Sequence, residues 1–176
     1  AWTYTVANAD VQYLAAGQTK VETFSVLSAD GTSHDIEITI TGTNDVPVIT
    51  GDATGAVTED ASTPNLTDTG TLTIVDADGG QAVFQTTGIT SSAGALGSLS
   101  ITSAGAWTYT VANADVQYLG AGQTKVETFT VLSADGTSHD IVITITGTND
   151  VPVIAGDDTG AVTEDASTPN LTDTGT

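Results

Sequence analysis

The side chains of this sequence that could do chemistry are carboxylates and carboxamides, and they recur in fixed groups. Asn44-Asp45 and Asn149-Asp150 lie inside two copies of one stretch, Thr-Gly-Thr-Asn-Asp-Val-Pro-Val-Ile, at residues 41–49 and 146–154. Asp76 and Asp78 flank a single alanine, Glu59 and Asp60 are adjacent, and Asp135 lies in a Ser/Gly/Thr-rich loop. Asp10 and Asp115 each follow Val-Ala-Asn-Ala. The chain has 22 Asp plus Glu against 2 Lys plus Arg, a formal charge of −20, so little counter-charge is at hand. Two carboxylates ~4 Å apart repel by ~4 kcal/mol at an effective dielectric of ~20. Any one Asp is well explained as a turn former. A converging set without cationic side chains calls for a cation. All-oxygen donors suit Ca2+, which takes roughly six to eight of them, better than Mg2+ or Zn2+.

The elements that must position these groups follow from an internal repeat. Shifted by 105 residues, residues 1–71 match residues 106–176 with five differences: Ala15/Gly120, Ser25/Thr130, Glu37/Val142, Thr50/Ala155 and Ala53/Asp158. That period is too long for a solenoid unit and right for one small domain. The expected organisation is the C-terminal part of one repeat (1–45), a complete repeat (46–150) and the N-terminal part of the next (151–176). The sequence reads as a window on a longer array, with no initiator Met and no targeting segment in view.

Within the complete repeat the apolar residues alternate with period two, the pattern of half-buried strands. Leu72 and Ile74 share a face, as do Leu99 and Ile101, then Trp107, Tyr109 and Val111, then Phe129 and Val131, then Ile141, Ile143 and Ile145. Two broken pieces, 46–49 and 56–58, read as a first strand, and residues 82–86 as a short strand around Phe84. Residues 62–69 carry turn chemistry in Pro64, Asn65 and Asp68, and residues 87–96 read as irregular. Asn113 is placed to cap a short helical turn. About seven short strands with turns between them fit an all-β fold, tandem immunoglobulin-like antiparallel β-sandwiches joined by short linkers. Residues 1–43 hold the last three strands of such a sandwich, whose partners lie outside the window or in a neighbouring chain.

Alternating strand direction sorts the loops into two poles. Asp76, Asp78 and Asp135 fall at the pole facing the preceding linker, with Asn44, Asp45 and, from the domain before, Asp10. Glu59, Asp60, Asn113 and Asp115 fall at the opposite pole, beside Asn149 and Asp150. The expected metal ligands are therefore Asp10, Asn44, Asp45, Asp76, Asp78 and Asp135 at the first junction, and Glu59, Asp60, Asp115, Asn149 and Asp150 at the second.

Composition narrows the partners. Nucleic acid and anionic membrane surfaces require clustered Lys and Arg. No apolar run is long enough for a membrane-spanning helix, so no direct membrane insertion is expected. The absence of Cys and Met excludes disulfides and thiolate metal sites, and suits exposure to oxidants outside a cell. A hydrophobic fraction of 39% and a mean hydropathy of +0.08 argue for a folded chain when calcium is bound.

At these residues a resemblance enters. Asn44-Asp45-Val46-Pro47 resembles the calcium-binding linker of cadherins, Glu59 the glutamate that follows their first strand, and Asp76-Ala77-Asp78 their Asp-x-Asp pair. Over the whole period the chain is similar to VCBS-type repeats of giant bacterial adhesins of the RTX type, through residues 70–79, 97–111, Gly122-Gln123 and 133–150. The resemblance implies a calcium-stiffened extender module, secreted by a type I system to the bacterial cell surface, supporting adhesion and biofilm formation. Its partners would be adjacent identical repeats in the same polypeptide and neighbouring fibre chains. The glycine-rich nonapeptide of RTX proteins is absent from this stretch.

Other signals are weaker. Asp76-x-Asp78-x-Gly80 opens like an EF-hand loop, but its twelfth position is Thr87 rather than Glu. His34 and His139 read as loop residues, and Ser33 or Ser138 beside them is sequence adjacency rather than catalytic geometry. Lys125 and Glu127 are placed at the wet end of a strand rather than in a Lys–Asn crosslink. Asn65-Leu66-Thr67 matches a glycosylation sequon by coincidence. Nothing argues for an enzyme. The alternative to an extender is a glycan-binding or self-associating adhesive module, for which Tyr118 is the one candidate aromatic platform.

Overall fold

A computed structural model describes residues 1–165 and 169–176; residues 166–168, inside the last segment, lie outside the described residues. Among the described residues ten strands follow in order: β1 (Thr19–Leu27), β2 (Ser33–Thr41), β3 (Val48–Gly51), β4 (Thr54–Thr58), β5 (Asn65–Val75), β6 (Thr90–Ser91), β7 (Ser98–Ile101), β8 (Ala106–Ala112), β9 (Thr124–Leu132) and β10 (Ser138–Thr146). The helical elements among the described residues are two 3-10 turns, Asn8–Asp10 and Asn113–Asp115. Among the described residues no helix is long and apolar enough to cross a membrane.

Strands β3 to β10 form two four-stranded sheets, ordered β4-β10-β9-β6 and β3-β5-β8-β7, packed as a β-sandwich. The alternating residues supply its core. Ile141, Ile143, Ile145, Phe129 and Val131 from one sheet meet Trp107, Tyr109, Val111, Leu66 and Leu72 from the other. Tyr109 and Phe129 pack edge to face across the gap, with ring centroids 5.7 Å apart.

The broken first strand is the pivot of the topology. β3 pairs with β5, and the chain then crosses at Asp52-Ala53 so that β4 joins the opposite sheet. There β4 runs parallel to β10 over five residue pairs, Val142↔Thr54 to Thr146↔Thr58, while the other pairings are antiparallel. The crossing is tied down by Trp107, whose indole N–H donates to the Asp52 carbonyl at 2.8 Å, and by Val142 N–H donating to Ala53 O at 2.9 Å. The ring lies against Gly55 and Gly70, where an added Cβ would stand 3.0 and 2.3 Å from its carbons. Glycine at those two positions makes room for the indole.

Several sequence expectations change. The turn residues 65–69 are strand, because β5 starts at Asn65 and pairs Leu66 with Val111. Residues 82–86 form no strand, only a bridge from Phe84 to Ser133. Leu99, on the inward face with Ile101, is only partly buried and packs on the edge of the core. Asn113 does not cap its turn; no side-chain cap bond forms there. Residues 1–43 give two strands, not three: β1 and β2 pair, while residues 1–6 stay unpaired.

Glu127 is the largest departure, being fully buried rather than at a wet strand end. Its carboxylate accepts the Leu96 and Gly97 amides at 2.6 and 3.1 Å and the Tyr109 hydroxyl at 2.9 Å. Burial, then the Glu127 charge and hydrogen bond, push the Tyr109 hydroxyl pKa up, so the phenol stays a donor. One carboxylate thus anchors the irregular segment 92–97 to the core. Glu127→Ala is expected to destabilise by ~2 kcal/mol, because it strands two amides and a phenol away from water. Urea denaturation checks this, and an unchanged midpoint would remove the anchor role.

Candidate functional site

The loops meet at two poles, as strand direction requires. At the first, Asp45 N–H donates to Asp78 Oδ2 at 2.9 Å, and Asn44 Nδ2 donates to Asp135 Oδ2 at 3.1 Å and to Asp45 O at 3.0 Å. Asp78 N–H donates back to Asp76 Oδ1 at 2.9 Å. Gly79 N–H reaches across the junction to Tyr13 O at 2.9 Å. The linker is thereby held to both loops, β5–β6 through Asp76 and Asp78 and β9–β10 through Asp135.

The electrostatics here are unusual. Asp78 is buried, and its Oδ1, together with Asp76 Oδ2 and Gln81 Oε1, has no hydrogen-bond partner. A buried carboxylate oxygen without a partner costs free energy. Asp135 differs: burial raises its pKa, but donation from Ser133, Asn44 and Thr137 outweighs that and holds it at about 2.

At the second pole, buried Glu59 accepts Thr148 N–H at 2.8 Å and Gln117 Nε2 at 3.1 Å. Asp60, in a left-handed conformation with φ 62°, accepts Asn113 Nδ2 at 2.8 Å and Gln117 Nε2 at 3.0 Å. Asn113, then Gln117, hold its pKa below the usual carboxylate range. Amide donors, not cations, satisfy this pair. The residues that correspond to these at a spacing of 105, Asn8, Gln12 and Thr43, line a cavity of about 50 Å3 with Asp45. Asn149 Nδ2 donates to Asp150 O at 3.1 Å, so the second linker repeats the local geometry of the first.

The structure therefore brings Asn44, Asp45, Asp76, Asp78 and Asp135 together at one pole, and Glu59 and Asp60 with Asn113 at the other. Asp10 and Asp115 stand exposed in their 3-10 turns, and Asn149 and Asp150 are exposed beyond β10. Among the described residues no three His, Cys, Asp or Glu side chains stand close enough to hold a metal ion. The converging donors are instead a mixed set of carboxylates, a carboxamide and main-chain groups. They fit a hard cation on one observation, the two buried carboxylate oxygens left without partners. Gln117, Thr148 and Gln81 are participants that residue type alone did not single out. The recurrence of Gln12 and Gln117 four residues after Asn8 and Asn113 was the available signal. Tyr118 is exposed, while Phe84, Trp107, Tyr109 and Phe129 are buried, so the complete repeat offers one exposed ring.

Acid should loosen both poles. Asp135 and Asp60 have folded pKa values below their unfolded ones, so the stability they contribute is complete above about pH 4 and lost as pH falls below it, toward about 2 for Asp135. Denaturant midpoints measured with chelator between those limits should fall. A flat profile would mean these bonds contribute nothing.

A family model described as bacterial cadherin-like domain matches residues 44–147. No curated protein matches. Among solved structures, EC1-3 of mouse clustered PcdhgC3 is 16% identical, with TM-score 0.46, over 89% of this chain and 48% of that one. The sialic acid binding region of the Streptococcus sanguinis SK1 adhesin, bound to 3'sLn, is 16% identical, with TM-score 0.37, over 72% of this chain and 37% of that one. A Ca2+-stabilized adhesin that helps an Antarctic bacterium reach out and bind ice is 19% identical, with TM-score 0.33, over 94% of this chain and 39% of that one. The chain thus spans less than half the length of each.

Proposed function

Starting from the fact that the chain belongs to the bacterial cadherin-like domain family, we propose that it is a calcium-stiffened extender segment of a bacterial surface adhesin. In this reading the chain is a tandem array divided at residues 1–45, 46–150 and 151–176. It is of the VCBS type within an RTX-like, type I-secreted protein, and it holds a distal tip away from the cell in adhesion and biofilm formation. Its partners are the adjacent repeats and neighbouring fibre chains.

The observation that carries the reading is the junction itself. Asp76 and Asp78 each bring a buried, unpartnered carboxylate oxygen to the place where the linker residue Asp45 is already hydrogen-bonded to Asp78. No Lys or Arg is bonded to any of them, and the described ion pair, Lys20–Glu22, lies elsewhere. Asp45, Asp76 and Asp78, with Asn44 and Asp135, would hold the ion. Bound there, calcium would supply the missing positive charge and join linker to domain. Asp10 and the second set, Glu59, Asp60, Asp115, Asn149 and Asp150, are assigned to the same role in the array.

Calorimetric titration of the chain with calcium tests this directly. Binding with a dissociation constant of ~10⁻⁴–10⁻³ M is expected, the range of extracellular calcium modules. Scattering should show a longer maximum dimension with calcium than with chelator. No heat of binding together with no change in dimension would end the proposal.

A further inference from the structure

The loop after β5 leaves a third oxygen unsatisfied besides those of its two carboxylates. Asp76 Oδ2, Asp78 Oδ1 and Gln81 Oε1 are all enclosed, and all lack a hydrogen-bond partner. They come from six consecutive residues, 76–81. Asp78 is the most enclosed, at 2% exposure, while Asp76 and Gln81 are half-buried. The rest of each group is tied down. Asp76 Oδ1 accepts Asp78 N–H at 2.9 Å, and Asp78 Oδ2 accepts Asp45 N–H at 2.9 Å. Each carboxylate is thus held by one oxygen and has the other to spare. Gln81 N–H donates to Asp78 O at 3.1 Å, closing a tight turn through Gly80 at φ 82°, and Val83 N–H donates to Gln81 O at 2.7 Å. That turn folds Gln81 back toward Asp78.

Three enclosed acceptors in one loop raise the cost of leaving oxygen unpaired. Among the described residues no three His, Cys, Asp or Glu side chains can hold a metal ion, so Asp76 and Asp78 need a donor of another kind. A carboxamide oxygen meets that need. It is a hard donor like a carboxylate, but neutral, so it adds a ligand without adding to the repulsion between Asp76 and Asp78.

Given a calcium ion at this junction, as proposed above, we propose that Gln81 is a direct ligand through Oε1 and the residue that sets the preference for Ca2+ over Mg2+. Calcium takes roughly six to eight oxygens in an adaptable arrangement, whereas magnesium demands a tight octahedron and keeps several of its waters. A neutral donor on a long side chain counts toward the larger shell. To the smaller ion it is dispensable, because a retained water takes its place.

Calorimetric titration of the full chain with Ca2+ and, separately, with Mg2+ tests this, with the melting temperature in chelator as a second readout. Gln81→Leu keeps the bulk and removes the oxygen. It should weaken Ca2+ binding by about tenfold or more, the scale on which loss of a supporting group lowers metal affinity, and leave Mg2+ binding nearly unchanged. Its melting temperature in chelator should hold or rise, because an enclosed oxygen without a partner is gone. Gln81→Glu keeps an oxygen and adds charge. It should bind Ca2+ at least as tightly as the parent chain and melt lower in chelator. Equal Ca2+ affinity in the parent and Gln81→Leu overturns the assignment while leaving calcium at the junction in place. So does loss of Ca2+ binding in Gln81→Glu, or a melting temperature that falls in chelator for Gln81→Leu, which would mean that the amide nitrogen serves the carboxylates as a donor. Equal weakening of Ca2+ and Mg2+ overturns the role in selectivity. No Ca2+ binding by the parent chain removes this ligand and the calcium junction together.

Discussion

Trp107→Ala should destabilise the complete repeat by ~3–5 kcal/mol, the cost of removing a large side chain from a packed core. Three losses combine. The indole is almost wholly buried between the sheets. Its N–H satisfies the Asp52 carbonyl at the point where the chain changes sheet. Gly55 and Gly70, which give the ring its place, would be left beside a void that backbone alone cannot fill. Trp107→Phe separates these losses. It keeps most of the volume and drops the hydrogen bond, so it should cost ~1–2 kcal/mol. Denaturant midpoints at fixed calcium measure both, and a Trp107→Ala cost below ~1 kcal/mol would contradict core packing at this site.

Calcium should stabilise the chain by ~2.7 kcal/mol per site at a concentration 100-fold above the dissociation constant. For a domain of this size that is a rise of roughly 10–20 °C in melting temperature. Asp78 gives the sharper test, because its effect should reverse sign. With chelator, Asp78→Asn removes a buried charge that has no counterion and should be neutral or stabilising. With calcium, the same substitution should lose most of the gain. Scanning calorimetry under both conditions decides it. If Asp78→Asn keeps the full calcium shift, the junction is not where calcium acts.

Much of the fold was legible because one face of each strand is buried, and burial imprints period two. Ile141, Ile143 and Ile145 could be placed from alternation alone, and all three are core. Glu127 could not. It occupies an inward position in that same alternation, but charge argues for solvent, and only the convergence of Tyr109, Leu96 and Gly97 makes burial tolerable. The start of β5 was hidden for a local reason, since Pro64, Asn65 and Asp68 favour turns when read without the partner strand β8. The poles were legible from strand direction, whereas the assignment of individual donors was not. Gln117 and the Thr148 amide satisfy Glu59 through a contact between loops far apart in sequence.

The parallel pairing of β4 with β10 has a mechanical consequence. In the extender role proposed above, tension along the chain would enter residues 46–150 ahead of β3 and leave after β10, at opposite poles. It drags β4 and β10 in opposite directions along their common axis. Their ladder, Val142↔Thr54 through Thr146↔Thr58, is then loaded in shear, so its bonds share the pull and fail together. A hairpin pulled from its open end, by contrast, would unzip one pair at a time. Resistance to pulling is governed by the unfolding rate rather than by equilibrium stability. In that role these five residue pairs, just after the chain crosses between the sheets, resist the pull together with the β3–β5 ladder ahead of them.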